Sequence, residues 1–227
     1  MKNKVLVIGA DHHNTLGIVE SLGQKGLNSY VLIVGENINS FVLKSRYVIE
    51  GWVCSLPEQV VDEMLKHFSD TKNKAIVYSS YDNVSSVLDS SVQRLSPFFI
   101  LPVTNISGSL ERKMSKEYMS DLAREVGLDV PRTWMVSDGE VPADIEFPCI
   151  TKAISSVEGS KKNIKICKRR EELEEFLANS EHCPIIQIQK FIIKDFEFQF
   201  LGCSMDNGKH IIISGRTHID RPNGIDN

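Results

Sequence analysis

The chain has 227 residues, a formal net charge of −4 and 41% hydrophobic residues. This length and apolar content suffice for one large domain or two small domains with real cores. The net negative charge argues against general binding to nucleic acid or to an anionic membrane surface. No apolar run approaches the roughly 18 residues of a transmembrane helix. Five widely spaced cysteines predict reduced thiols in a cytoplasmic protein, rather than a disulfide framework or a zinc site.

The first hundred residues alternate between strand and helix signals. The runs KVLVIGA (4–10), SYVLIVG (29–35) and KAIVYSS (74–80) are short and rich in β-branched residues, which indicates buried strands. Between them, PEQVVDEMLKHFSD (57–70) has the apolar spacing of an amphipathic helix. Strands that alternate with helices predict a parallel sheet with right-handed crossovers.

The pattern changes near residue 105. One charged helix is predicted within residues 107–131, ended by Gly127 and Pro131. Short strands and one further helix (169–180) follow, and then a β-hairpin around Asp206-Asn207-Gly208, which is a strong type I′ turn signal. The second half is therefore predicted to be α+β, with an antiparallel sheet that carries helices on one side.

The junction after the first strand is polar and consists of Asp11, His12, His13 and Asn14. It is not a GxGxxG fingerprint, so dinucleotide binding is poorly supported. Ligands of open parallel sheets bind outside the carboxyl ends of the strands, where a helix N-terminus favours anions. These residues are therefore either a polar turn, in which Asn14 or Thr15 caps the helix, or part of a substrate site. The loop that contains Asp82 has the same two interpretations.

The segment KAISSVEGSKKNIKI (152–166) combines a strand-end lysine with a small flexible loop. Lys152 lies two residues after Ile150, so both share one strand face, and a buried ammonium there needs an anionic partner. Gly159 and Ser160 can bring backbone N–H groups and a hydroxyl close to an anion, and two further lysines add positive charge. The segment is either a flap over phosphates or a solvated turn with lysines that extend to water.

Three segments in this order resemble the front part of the ATP-grasp superfamily of carboxylate–amine ligases. They are ERKMSKEYMSDLAREVGLDVPRTWMV (111–136), FPCITKAISSVEGSKKNIKI (147–166) and IIQIQKFIIKDFEFQF (185–200). The resemblance implies an α/β fold: a parallel, Rossmann-like pre-ATP-grasp sheet, then the α+β first ATP-grasp subdomain, then the beginning of the second.

The implied domains are residues 1–106, 107–190 and 191–227, the last being a truncated start of the second ATP-grasp subdomain. By the same resemblance, eight residues would bind the nucleotide: Lys113, Lys152, Gly159, Ser160, Gln189, Lys190, Ile192 and Glu197.

The resemblance also implies how these residues divide the nucleotide among them. The two lysines Lys113 and Lys152 would reach the phosphates, and the small loop would fold over them. The edge of the hinge strand that begins at Gln189 would pair with adenine, and Glu197 would bind the ribose. Gln189 stands where glutamate is commoner, but its amide oxygen can still accept a hydrogen bond from the adenine amino group.

The implied activity is ATP-dependent ligation of a small carboxylate to an amine or thiol through an acyl phosphate. His12, His13 and Asp82 would contribute to the substrate pocket. No magnesium ligands are found after Glu197, so Mg²⁺ is expected only in a full-length form. The chain is accordingly expected to be an N-terminal fragment with little or no turnover. Its exposed C-terminal strands predict self-association or strand exchange between copies.

Three alternative functions remain open at this stage. The chain could be a non-catalytic module that binds a nucleotide or another small molecule, or a subunit of a split enzyme. A nicotinamide-dependent oxidoreductase built on the first sheet is disfavoured by the missing GxGxxG. A role in nucleic-acid binding has only the lysine-rich hairpin in its favour.

Overall fold

The computed structural model describes residues 3–68, 70–104, 106–137, 141–153, 164–179, 185–193, 197–205 and 209–219. The chain divides into two compact units, residues 1–129 and 130–227. The three-domain division with boundaries after residues 106 and 190 stays a prediction. Within the described ranges, no helix is both long and apolar enough to cross a lipid bilayer.

The first unit is built on a five-stranded parallel sheet. Its strands are β1 (Val5–Gly9), β2 (Ser29–Val34), β3 (Val48–Cys54), β4 (Ala75–Ser79) and β5 (Phe99–Ile100). Their order across the sheet is β3-β2-β1-β4-β5, and every pairing is parallel, which confirms the predicted α/β class. The chain runs from β1 outward to β2 and from β4 outward to β5, so the topological switch point lies between β1 and β4.

Helices cover both faces of this sheet. They are α1 (His13–Gly23), α2 (Val60–His67), α3 (Asp82–Ser90) and α4 (Val92–Leu95), with short 3-10 segments at Val42–Lys44 and Pro57–Gln59. One core cluster joins Ile8 and Leu32 to Leu88, and a second joins Val7 and Ile33 to Val19. Burial on both faces explains why the two strands β1 and β2 are almost continuously apolar.

The single helix predicted within residues 107–131 is in fact two helices, α5 (Ser109–Met114) and α6 (Lys116–Glu125). Ser115 separates them with extended backbone angles (φ −67°, ψ 138°), and its side-chain oxygen accepts a hydrogen bond from Tyr118 N. A serine in this conformation is a standard helix N-cap. The predicted stop is confirmed, because Gly127 follows α6 with a φ of +80°.

The second unit contains a four-stranded antiparallel sheet and one helix, α7 (Arg170–Ala178). The strands are β6 (Thr133–Ser137), β7 (Cys149–Ala153), β8 (Ile166–Cys167) and β9 (Ile185–Lys190), in the order β6-β9-β7-β8. Leu173 of α7 packs into one core cluster with Trp134 and Ile188. The predicted antiparallel sheet with a helix on one side is confirmed.

A separate antiparallel pair, β10 (Glu197–Met205) and β11 (His210–Ile219), completes the second unit. The hairpin is as predicted, although its turn at 206–208 lies outside the described residues, as does the proposed flap at 154–163. Three consecutive isoleucines of β11, which alternate between the two faces of the strand, are exposed: Ile211, Ile212 and Ile213.

Candidate functional site

The two faces of the four-stranded sheet differ in character. Directly opposed residues share a face, and the register pairs Trp134 with Ile188 and Thr133 with Gln189. The face of Trp134 and Ile188 packs with α7 in the hydrophobic core. The opposite face, which we call the polar face, carries residues from three strands: Thr133, Met135, Ile150, Lys152, Gln187 and Gln189.

Lys152 lies on the polar face and is held there by Gln189. Its Nζ donates a hydrogen bond of 2.7 Å to Gln189 Oε1. The register pairs Gln189 with Ile150, so Lys152 reaches it diagonally from the neighbouring strand. The shared face of Ile150 and Lys152 is confirmed. The partner in this contact is a neutral amide oxygen, whereas the sequence led us to expect an anion.

The hydrogen-bond chain continues from Gln189 to Thr133. Gln189 Nε2 donates to Thr133 Oγ1 at 3.3 Å, and Thr133 Oγ1 donates to the Pro131 carbonyl at 3.0 Å. Thr133 is a residue of this face that sequence reasoning did not single out. Strand alternation would place it on the same face as Met135, but its contact with Gln189 spans 56 residues of sequence. Only the register of β6 against β9 brings the two together.

The end of β9 is tied to the loop that precedes β7. Lys190 Nζ lies 2.6 Å from Glu146 Oε2, and Arg132 Nη1 lies 3.4 Å from Glu146 Oε1. The backbone N–H of Phe191 also donates to the Pro148 carbonyl at 2.9 Å. The hydrogen bond from Lys190, and secondarily the contact with Arg132, lowers the pKa of the Glu146 carboxyl. The Lys190 side chain therefore belongs to this ion-pair cluster, which lies on the sheet face opposite Lys152.

The remaining predicted nucleotide-binding residues lie at scattered positions. Ile192 follows the end of β9 and is exposed, and Lys113 is exposed on α5 of the first unit. Glu197 is the first residue of β10. Gly159 and Ser160 fall outside the described residues. Of the eight predicted residues, the structure joins Lys152 and Gln189 by a direct hydrogen bond.

The switch point of the first unit is a second candidate site. The fully buried Thr15 links the loop after β1 to the loop after β4. Its Oγ1 lies 2.8 Å from Ser80 Oγ and donates to the Ala10 carbonyl at 2.7 Å. The prediction that Asn14 or Thr15 caps α1 is wrong. The N-cap is His12, whose Nδ1 accepts from Asn14 N at 3.3 Å.

The predicted substrate residues lie on the two loops at this switch point. His12 and His13 are exposed after β1, with ring centroids 3.8 Å apart, and Asp82 is exposed at the start of α3 after β4. Asp11 has a structural role, because Ser40 Oγ donates to its carboxylate at 2.5 Å and Asn37 Nδ2 donates at 3.3 Å. The two imidazoles and the Asp82 carboxylate thus face solution at the carboxyl end of the sheet.

Together the two units define a fold class. A parallel α/β sheet is followed by an antiparallel sheet that carries a strand lysine on the face away from its helix. This is the fold of the N-terminal portion of the ATP-grasp enzymes, and solved structures of that superfamily match the chain over nearly its whole length. The resemblance noted from the sequence is confirmed at the level of fold.

Three of the similar solved structures show the extent of the match. An L-amino acid ligase from Bacillus licheniformis has a TM-score of 0.72 at 16% identity, over 99% of this chain and 52% of that chain. An N5-carboxyaminoimidazole synthetase from Staphylococcus aureus has a TM-score of 0.71 at 10% identity, over 97% of this chain and 55% of that chain. The biotin carboxylase domain of a Hydrogenobacter thermophilus 2-oxoglutarate carboxylase, solved with MgADP, ADP and bicarbonate, has a TM-score of 0.65 at 13% identity, over 94% of this chain and 49% of that chain.

These identities establish the fold alone. The chain spans about half the length of the structures it matches. Comparison with protein-family models and with curated protein sequences gives no match.

Proposed function

We propose that this chain is the ATP-binding portion of an ATP-dependent carboxylate–amine or carboxylate–thiol ligase. The observation that carries the proposal is the Lys152 ammonium, held on the polar face of the sheet by the residue that begins the hinge at the end of β9. An ammonium fixed in this way is suited to phosphate oxygens, because charge-assisted hydrogen bonds are short and strong. The ATP and ADP complexes among the similar structures support a nucleotide as the ligand.

The rest of the nucleotide is assigned to the other residues predicted from the sequence. Adenine would lie along the backbone edge of residues 190–192. Lys190 would contribute through its backbone, because its side chain is engaged with Glu146 on the opposite face. Gln189 would offer its amide oxygen to the adenine amino group. The remaining contacts are proposed from the resemblance: Lys113 to the phosphates, Gly159 and Ser160 in the flap, Ile192 at the adenine, and Glu197 at the ribose.

The proposed reaction has two steps. A carboxylate oxygen of one substrate attacks the γ-phosphorus of ATP, and ADP leaves as an acyl phosphate forms. An amine or thiol then attacks the acyl carbon, loses its proton and expels phosphate. Closure of the flap would exclude water, which protects the acyl phosphate from hydrolysis. His12, His13 and Asp82 at the switch point are proposed to contact the substrate, as ligands of open α/β sheets bind at such positions.

Residues 1–227 by themselves are proposed to bind nucleotide with little turnover, because the similar ligases extend over about twice this length. Among the described residues, no group of three His, Cys, Asp or Glu side chains is placed to hold a metal ion, so no step is assigned to Mg²⁺ here. We also propose a cytoplasmic location and no nucleic-acid or membrane partner, from the cysteine spacing and the net charge. The exposed isoleucines of β11 support the predicted self-association.

The test is isothermal titration of ATP into the wild type and into Lys152→Ala. Removing a hydrogen bond to a charged group costs roughly 1.5–3 kcal/mol, so affinity should fall about 10- to 150-fold. Lys168→Ala is the matched control, because this exposed lysine of the same unit is equally charged and directly follows β8. Equal affinities of the wild type and Lys152→Ala would contradict the proposal, as would an equal loss in the control.

A further inference from the structure

The orientation of the Gln189 amide is determined at both ends. Thr133 Oγ1 uses its only hydrogen to donate to the Pro131 carbonyl, so toward Gln189 it can only accept, and the nitrogen of the amide must face it. At the other end, the ammonium of Lys152 has donors only and must meet the amide oxygen. Rotating the amide by half a turn would place two acceptors together at Thr133 and two donors together at Lys152.

A glutamate at position 189 would not need this arrangement. Both oxygens of a carboxylate accept hydrogen bonds, so either could hold the Lys152 ammonium whatever Thr133 presented. The amide has one acceptor only, and the neutral side chain brings no charge of its own to hold the ammonium. The hydroxyl of Thr133 therefore helps to keep the single acceptor of Gln189 directed at Lys152, from the far end of the amide.

We propose that Thr133 is a positioning residue for phosphate binding: through the Gln189 amide it fixes the ammonium of Lys152 on the polar face. The inference rests on the proposed function for its ligand, which is the phosphate chain of a nucleotide. It goes beyond that function in assigning a role to Thr133 and in making that role conditional on glutamine at position 189. In this role Thr133 would act through the amide that it contacts.

The experiment is a double-mutant cycle on ATP affinity, with Thr133→Val and Gln189→Glu as the two changes. Thr133→Val keeps the β-branched shape and removes the hydroxyl. In the glutamine background it should weaken ATP binding about fivefold, the effect of one neutral hydrogen bond. In the Gln189→Glu background the same change should alter affinity by less than about twofold, because residue 189 then presents only acceptors. Thr133→Ser, which retains the hydroxyl, should bind ATP as the wild type does.

Equal losses from Thr133→Val in the two backgrounds would overturn the inference, because the hydroxyl would then act independently of the amide. No loss in the glutamine background would overturn it as well.

A measurement without ligand separates this inference from the proposed function. Exchange of the Gln189 side-chain NH₂ protons, followed by NMR in the absence of ATP, should be several-fold faster in Thr133→Val than in the wild type and in Thr133→Ser. If exchange differs in this way but the wild type binds no ATP, the nucleotide function is refuted and the amide orientation is still supported. Unchanged exchange in Thr133→Val would refute the orientation itself, whether or not ATP binds.

Discussion

Gly9 at the end of β1 leaves no room for a side chain, and its replacement tests the packing of the switch point. A Cβ added at this residue would lie 2.1 Å from Ser80 Oγ and 2.5 Å from Thr15 Oγ1. These two hydroxyls lie 2.8 Å apart in a hydrogen bond, and Thr15 is fully buried. Gly9→Ala must therefore displace both hydroxyls, and with them the link between the loops after β1 and β4.

The cost of Gly9→Ala follows from these contacts. Losing the bond between the hydroxyls and straining the bond of Thr15 to the Ala10 carbonyl should cost about 1 kcal/mol, and overpacking should add about 1–3 kcal/mol. The free energy of unfolding of the first unit should therefore fall by about 2–4 kcal/mol. With an unfolding entropy of about 2.1 cal/mol/K per residue over residues 1–129, Tm should fall by about 7–15 °C.

The assay is thermal unfolding followed by circular dichroism, with Gly17→Ala as the matched control. Gly17 lies inside α1 with no atom within 4 Å of an added Cβ, so alanine there should raise stability by up to about 1 kcal/mol. Ser80→Ala removes the closer of the two contacts and should reduce the cost of Gly9→Ala in the double variant. A Gly9→Ala protein that unfolds within about 2 °C of the wild type would refute this reasoning.

Two further predictions concern the second unit. Ile188→Ala empties a fully buried core position and should lower the free energy of unfolding by about 2–5 kcal/mol in urea denaturation, whereas Ile211→Ala, 71% exposed, should change it by less than about 1 kcal/mol. Lys190→Met should raise the pKa of Glu146 toward its ordinary value, measured by carboxyl NMR titration, because the hydrogen bond from Lys190 is the main cause of the depression. A carboxyl with a lowered folded-state pKa contributes stability above its unfolded pKa of about 4.3 and loses it as the pH falls through the folded value. The difference in Tm between wild type and Lys190→Met should accordingly shrink below about pH 4, and a difference that stays constant with pH would contradict the role of this ion pair.

Local patterns predicted most of the first unit. The apolar runs around Val7 and Val31 became buried parallel strands, because a strand covered by helices on both faces must be apolar along its length. The helix boundaries were harder to predict. Several serines of the segment 107–131 were equally plausible caps. Ser115 divides the predicted helix because its hydroxyl accepts a hydrogen bond from the Tyr118 amide and so begins α6.

The candidate site was predicted in part. The segment order and the strand lysine pointed to Lys152 and to the hinge at Gln189, and the structure joins these two residues by a hydrogen bond. The sequence could not indicate that the Lys190 side chain lies on the face opposite Gln189 and pairs with Glu146. The direction of this side chain depends on whether β9 continues through residue 190. It also could not show that His12 rather than Asn14 caps α1, since both side chains can accept the hydrogen bond.

The sequence by itself determined the α/β order of the chain, the antiparallel character of its second half and the resemblance to the ATP-grasp fold. These properties follow from the period of the apolar residues and from the order of short segments, both of which are local. Only the tertiary structure decided the close approach at Gly9 and the chain of hydrogen bonds from Thr133 through Gln189 to Lys152. Both depend on strand register, because register brings together residues that are distant along the chain and directs each side chain to one face of its sheet.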